Sequence, residues 1–133
     1  MSVTSSQQAA TVEQLMRPPA TTVEPAAHLA AAAYLMRRDG DTALVVTTDD
    51  ERHQPLGIVT DGDITQAVAD GRDLGETRIN QVIDGDPLAV DVSTGVREAA
   101  ELMLSRSVHH LPVVRDGGLV GLVDMSDICR ALL

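Results

Sequence analysis

The chain is written twice. A single offset brings Val12, Leu15 and Met16 onto Ile79, Val82 and Ile83, Val23 onto Val90, Leu35-Met36 onto Leu102-Met103, Leu44 onto Leu111 and Val46 onto Val113. Past that point the first copy is slightly longer, between Thr47 and Leu56. Gly57 then meets Gly121, Val59 meets Val123 and Asp63-Ile64 meets Asp127-Ile128. Single matches arise by chance, but one order of apolar positions running through both halves does not. A copy of about 55 to 60 residues buries only about 60% of its unfolded surface and is marginal alone. Two copies packed sheet against sheet are therefore expected to share one core, with a pair of clefts between equivalent edges.

Within a copy, the pattern reads strand, helix, strand, strand, helix. The first strand is expected at 20–23 and 88–90, and the long helix at 27–38 and 96–105. Leu29, Ala32, Ala33 and Met36 recur at helical spacing, as do Val96, Ala99, Ala100 and Met103, giving each helix one narrow, Ala-lined apolar face. Strands follow at 42–47 and 110–114, then at 56–60 and 119–123. Arg115-Asp116-Gly117-Gly118 is a hairpin turn signal, and 48–55 is a longer polar version of it. Closing helices are expected at 62–69 and 125–132. The expected organisation is a flexible N-terminus at 1–11, a first domain at 12–70, a linker at 71–78 and a second domain at 79–133.

Composition removes several classes of function. Twenty acidic residues oppose ten basic ones, all Arg, for a formal charge of -10. Such a chain repels phosphate backbones and shows no basic stripe, so nucleic-acid binding is not expected. Tyr34 is the only aromatic residue, which leaves no platform for stacked bases. No apolar run reaches the roughly 18 residues of a membrane span, and the N-terminus lacks a secretory pattern, so a cytoplasmic protein is expected. Cys129 is the single cysteine and is expected to be an inert, covered residue on the last helix. Met16, Met36, Met103 and Met125 fall at core-like positions. Arg17-Pro18-Pro19 reads as an extended lead into the first strand.

The chemistry-bearing segment is Gly57-Ile58-Val59-Thr60-Asp61-Gly62-Asp63, with its counterpart Gly121-Leu122-Val123-Asp124-Met125-Ser126-Asp127. Each is a strand that turns directly into a helix. The helix start offers unpaired N–H groups and a partial positive charge to an anion. Asp63 could accept both hydroxyls of a ribose, and the Thr60 hydroxyl could meet a phosphate. Thr-x-x-Asp is equally the pattern of a capping box, in which the side chains satisfy backbone amides and nothing is bound. Asp124 and Asp127 carry the same alternative. Asp61-Gly62-Asp63 and Asp84-Gly85-Asp86 do not continue into a calcium loop and read as turns, so no metal site is expected. No nucleophile elbow accompanies the Ser, His and Asp residues, so no enzyme is expected.

The duplicated unit, with Gly-apolar-apolar-Thr-x-x-Asp after the third strand and His110-Leu111-Pro112-Val113-Val114 in the second copy, resembles a tandem pair of cystathionine β-synthase (CBS) domains. The resemblance runs from about Val12 to Leu133. It implies an α/β (α+β) fold of two β-α-β-β-α repeats packed through their sheets as a pseudo-two-fold module. Such modules act as sensors rather than enzymes and bind adenine nucleotides or S-adenosylmethionine. By the resemblance, a first cleft joins Thr60 and Asp63 to Leu88, Ala89, Val108, His109, His110 and Pro112. Asp63 holds the ribose there, Thr60 a phosphate, the apolar residues flank the adenine, and the histidines add donors. The alternative for the His pair is an ordinary strand with one ring covered and one solvated.

A second cleft joins Asp124 and Asp127 to Thr21, Thr22, Asp41, Thr42 and Ala43. Here Asp124 departs from the family pattern. A carboxylate about 6 Å from a phosphate, at an effective dielectric of about 20, costs roughly 3 kcal/mol, about a hundredfold in affinity. This cleft is expected to be empty or to take a neutral or cationic ligand, S-adenosylmethionine among them. The expected function is thus a regulatory, ligand-sensing module for an adenosine nucleotide, AMP or ATP, acting through a homodimer and an effector protein. The alternative is a ligand-free docking module.

Overall fold

The apolar positions that recur at helical spacing form helices within a residue or two of their expected bounds. A computed structural model describes residues 10–19, 21–83 and 88–133 of the chain. The four helices are α1 (Leu29–Asp39), α2 (Asp61–Ala69), α3 (Val96–Arg106) and α4 (Met125–Leu132). The strands are β1 (Thr22–Val23), β2 (Ala43–Thr47), β3 (Pro55–Thr60), β4 (Val90–Asp91), β5 (His110–Arg115) and β6 (Gly118–Asp124). β1 and β4 are shorter than expected, and residue 20 lies outside the described residues. β3 reaches back to Pro55, which stands at the strand's first position, where a missing N–H costs least.

Each repeat builds a three-stranded sheet in which the middle strand pairs parallel with the first and antiparallel with the third. All five residues of β2 are buried, as suits a strand covered on both faces. β5 and β6 are joined by Asp116 and Gly117, whose φ values of 53 and 82 give the two left-handed residues of a type I′ turn. The expected hairpin signal therefore acts as read.

The described residues divide into two compact units: residues 21–83, and residues 88–133 together with residues 10–19. Each encloses its own buried cluster, and the two clusters nearly match position for position. Val23, Leu29, Ala32, Met36, Leu44, Val46 and Val59 in one stand where Val90, Val96, Ala99, Met103, Leu111, Val113 and Val123 stand in the other. The segments leading into the repeats are exchanged. Val12 belongs to the cluster of the second repeat's sheet, its N–H donating to Thr94 O at 2.9 Å. Ile79 belongs to the first repeat's cluster, its N–H donating to Ala27 O at 2.8 Å. Both sit in short 3-10 turns (Val12–Gln14 and Ile79–Gln81), and both are fully buried.

Beyond its turn, the first segment runs along β6, where Arg17 N–H donates to Leu122 O at 3.0 Å and Leu122 N–H returns to Arg17 O at 2.9 Å. This lays Met16 directly over Gly121. A Cβ at that position would lie 2.5 to 2.9 Å from Sδ, Cγ and Cβ of Met16. The matching glycine, Gly57, meets only the tip of Ile83 at 3.1 Å. Gly121→Ala is accordingly expected to lower the unfolding free energy by about 1–3 kcal/mol, and Gly57→Ala by less. Urea denaturation checks the order, and Met16→Ala added to Gly121→Ala should restore part of the loss.

Candidate functional site

In each unit the third strand passes into the closing helix without a loop, so the last strand residue serves as the helix cap. In the first repeat, Thr60 Oγ1 accepts the Asp63 N–H at 3.1 Å, and Asp63 Oδ2 accepts the Thr60 N–H at 2.8 Å. This is a closed capping box. Strand pairing sets Ala43 beside Thr60, and Asp61 N–H donates to Thr42 O at 2.9 Å. Oδ1 of Asp63 has no partner among the described residues. The half-buried carboxylate lines a groove of about 180 Å³ with Gln66, Ala67, Asp70, Arg72, Gln81 and Val82.

The second repeat repeats this geometry with a different charge distribution. Asp124 Oδ1 accepts the Asp127 N–H at 2.9 Å and the Ser126 hydroxyl at 2.7 Å, while Asp127 Oδ2 accepts the Asp124 N–H at 3.0 Å. Arg17 Nη2 lies 2.5 Å from Asp124 Oδ2, and its Nε lies 3.6 Å from Asp127 Oδ2. Arg130 Nη2 closes on Asp127 Oδ1 at 2.5 Å. Asp127 is only 5% exposed, so its charge is buried but paired. Burial by itself pushes the Asp124 carboxyl up. The Ser126 hydroxyl, the bonds with Asp127 and the Arg17 charge outweigh it and hold Asp124 down to about 2.

These pairings revise the charge argument for the second repeat. Two carboxylates meet two guanidiniums there, so the roughly 3 kcal/mol penalty attributed to a bare Asp124 does not apply. The groove beside Asp127, about 300 Å³, is lined by Gln14, Leu15, Asp127, Arg130 and Ala131. Gln14, Leu15, Asp127 and Ala131 occupy the repeat positions of Gln81, Val82, Asp63 and Ala67 around the other groove. Arg130 replaces Gln66.

The structure sorts the other expected residues by unit. Thr21, Thr22, Thr42 and Ala43 belong with Thr60 and Asp63. Thr21 Oγ1 donates to Asp39 Oδ2 at 2.7 Å, Asp41 and Thr42 are exposed, and Ala43 is buried. Leu88, Ala89, Val108, His109, His110 and Pro112 belong with Asp124 and Asp127. His110 pairs with Asp124 across the sheet, and His109 O accepts the Met125 N–H at 2.9 Å. His109 is exposed and His110 half-buried, Pro112 is buried, and Leu88, Ala89 and Val108 are half-buried.

Two expectations are corrected. Cys129 is exposed rather than covered, because it sits on the outer side of α4 in an apolar groove against α3. Met16 and Met125 are half-buried at the edge of the cluster, whereas Met36 and Met103 are buried as expected. No group of three or more potential metal ligands occurs among the described residues, and Asp84-Gly85-Asp86 lies outside them.

Reading the sequence missed Arg17, Arg130, Arg72 and Gln81. Arg17 carried a signal, since the repeat offset sets it on Asp84 just as Asp124 falls on Thr60. A new negative charge in one element is answered by a new positive one in another.

The family model for the CBS domain matches residues 12–70 and 79–133. The chain belongs to the CBS domain family, as a tandem pair. It superposes on Hypoxic Response Protein I, solved with two coordinated zinc ions, with a TM-score of 0.80 at 30% identity, covering 92% of this chain and 99% of that one. CBSX2, solved in complex with AMP, gives a TM-score of 0.76 at 27% identity over 93% of this chain and 96% of that one. An uncharacterized 17.7 kDa protein of Acidianus ambivalens is 34% identical over 63% of this chain and 51% of its own length. The chain spans about half the length, or less, of the curated relatives it matches most strongly.

The depressed Asp124 sets a pH signature. Its contribution to stability, about 2 kcal/mol, is present above the ordinary aspartate value of 3.8 and is lost as pH falls through about 2. Asp124→Thr keeps a capping oxygen and removes the charge. Its acid-unfolding curve is expected to be flatter than wild type between about pH 4 and pH 2, measured by urea midpoints at each pH.

Proposed function

We propose that this chain is a regulatory ligand-sensing module that binds an adenosine nucleotide, AMP or ATP, at the start of α2. The observation that carries this reading is the half-committed Asp63. One carboxylate oxygen closes the cap, while the other, in a groove, has no partner among the described residues and suits the paired hydroxyls of a ribose. Thr60 Oγ1 accepts from the backbone and keeps its own proton to donate to a phosphate oxygen. Arg72, on the same groove, supplies a cation for that phosphate. The AMP held by CBSX2 supports the ligand class. Leu88, Ala89, Val108, His109, His110 and Pro112 are assigned to the base and phosphates on the family resemblance alone.

The module acts on an effector protein and not by catalysis, through a shift between arrangements that bind the ligand unequally. No helix among the described residues is long and apolar enough to cross a membrane, and we place its action in the cytoplasm. Docking without a ligand is the second reading. The observation favouring it is that both capping boxes are closed by the chain's own side chains and amides.

Thermal shift separates the two readings. A panel of AMP, ATP, NAD and S-adenosylmethionine should show stabilisation by one adenosine nucleotide, about 2.7 kcal/mol at a hundredfold excess over Kd. Asp63→Ala should lose about 1 kcal/mol of cap energy and the whole ligand-induced shift. Absence of any shift at millimolar nucleotide favours docking.

We also propose that self-association uses the face of α3 and α4. Ala100, Met103, Leu104, Met125, Ile128, Cys129 and Leu132 line an apolar groove of about 340 Å³ there, and Leu104 is 74% exposed. The repeat-equivalent face of the first unit carries Arg37, Asp61 and Thr65 in place of Leu104, Met125 and Cys129. The apolar face therefore matches itself better than it matches the first repeat, which favours a homodimer joined second repeat to second repeat. Leu104→Asp is expected to shift sedimentation from dimer to monomer while leaving the fold intact by circular dichroism.

A further inference from the structure

The two helix starts share one capping geometry but differ in what their carboxylates hold. Around α2, Asp63 spends one oxygen on the Thr60 N–H, and the other has no partner among the described residues. Around α4 all four carboxylate oxygens are engaged. Asp124 Oδ1 takes the Asp127 N–H and the Ser126 hydroxyl, and Asp124 Oδ2 takes Arg17 at 2.5 Å. Asp127 Oδ2 takes the Asp124 N–H with Arg17 Nε at 3.6 Å, and Asp127 Oδ1 takes Arg130 at 2.5 Å.

The Arg17 side chain is half exposed, but its place on the chain is fixed. Its backbone is pinned to Leu122 by a reciprocal pair of hydrogen bonds at 3.0 and 2.9 Å, two residues before Asp124. Val12 and Met16, on the same segment, pack on the second repeat's buried cluster. The guanidinium is thus delivered to the start of α4 by a segment that must be there for the core to close.

We infer that Arg17 is a built-in ligand of the second repeat. With Arg130, which holds Asp127 Oδ1, it occupies the carboxylates that would otherwise face a sugar, so that the chain carries one nucleotide site, at α2, and one site closed by its own arginines, at α4. This rests on the proposed reading of Thr60 and Asp63 as a nucleotide site and adds to it a stoichiometry and a cause. A ribose needs accessible carboxylate oxygens to accept its hydroxyls, and Asp127 is buried with one oxygen on the cap and the other on Arg130. The second start would take a cation, and the cation is the chain's own. Arg17 and Arg130 together thereby determine which of two similar helix starts is open.

The test is the number of AMP molecules bound per chain, measured by equilibrium dialysis with the full-length protein. Arg17→Ala and Arg130→Gln combined with Asp124→Thr give the second repeat the first repeat's capping residue and its glutamine, and leave Asp127 without an arginine partner. Arg17→Gln and Arg130→Gln with Asp124→Thr is the second variant, retaining bulk should the first fail to fold. One AMP more per chain than wild type supports the inference, and an unchanged number in a folded variant overturns it. Two AMP per chain in the wild type overturns it as well. The parent reading fails separately. If the wild type binds no AMP and the triple variant binds one, the arginine plug stands while the assignment of Thr60 and Asp63 falls.

Discussion

The rest of the structure depends on burying two residues that each repeat does not supply for itself. The sheet and two helices of a repeat leave a gap in their apolar cluster, which is filled by the lead-in residue of the other copy: Val12 for the second, Ile79 for the first. Both are fully buried, and each is worth about 1.5–3 kcal/mol of apolar burial, a large share of what so small a unit can muster. Because the lead-in segments must cross to the other sheet, whatever follows Val12 and Ile79 is carried to the strand-helix junction of that sheet. Met16 lands on Gly121 and Arg17 on Asp124.

That junction makes one set of atoms serve two ends. A strand that becomes a helix without a loop leaves amides at the helix start that must be satisfied. The capping side chains do this from a position that also borders a groove. In the first repeat the cap consumes half of the Asp63 carboxylate, and the remaining half is chemistry to spare. In the second repeat the oxygens that the cap does not need are taken by arginines, Asp124 Oδ2 by Arg17 and Asp127 Oδ1 by Arg130. Between the repeats Thr60 stands against Asp124, Gln66 against Arg130 and Asp84 against Arg17, and these differences of charge accompany a half-committed Asp63 at one helix start and arginine-paired carboxylates at the other.

Much of this was legible before any coordinates. The order strand, helix, strand, strand, helix follows from apolar periods that differ between helix and strand. Asp116-Gly117 announced its turn because few other residue pairs accept two left-handed conformations. The Thr60–Asp63 box was one of two stated alternatives for its pattern, since the same donors and acceptors serve a cap and a ligand. The partner of Arg17 was not legible from periodicity. Its position depends on which sheet the leading segment joins, and hydrophobic patterns do not distinguish a segment that packs on its own repeat from one exchanged with its copy. Exposure of Cys129 escaped for a similar reason, because the apolar side of α4, Met125, Ile128, Cys129 and Leu132, is broader than the face the core covers.

The amino-acid sequence by itself determined the duplication, the element order, the core positions and the family to which the chain belongs, because each is set by local pattern repeated in register. Only the tertiary structure decided which lead-in segment completes which repeat, and with it the neutralisation of Asp124 and the asymmetry between the two helix starts. The physical reason is range. Apolar periods and caps act within a few residues of one another, whereas the ion pair of Arg17 with Asp124 joins residues from opposite ends of the chain that meet only after an exchanged segment has been buried.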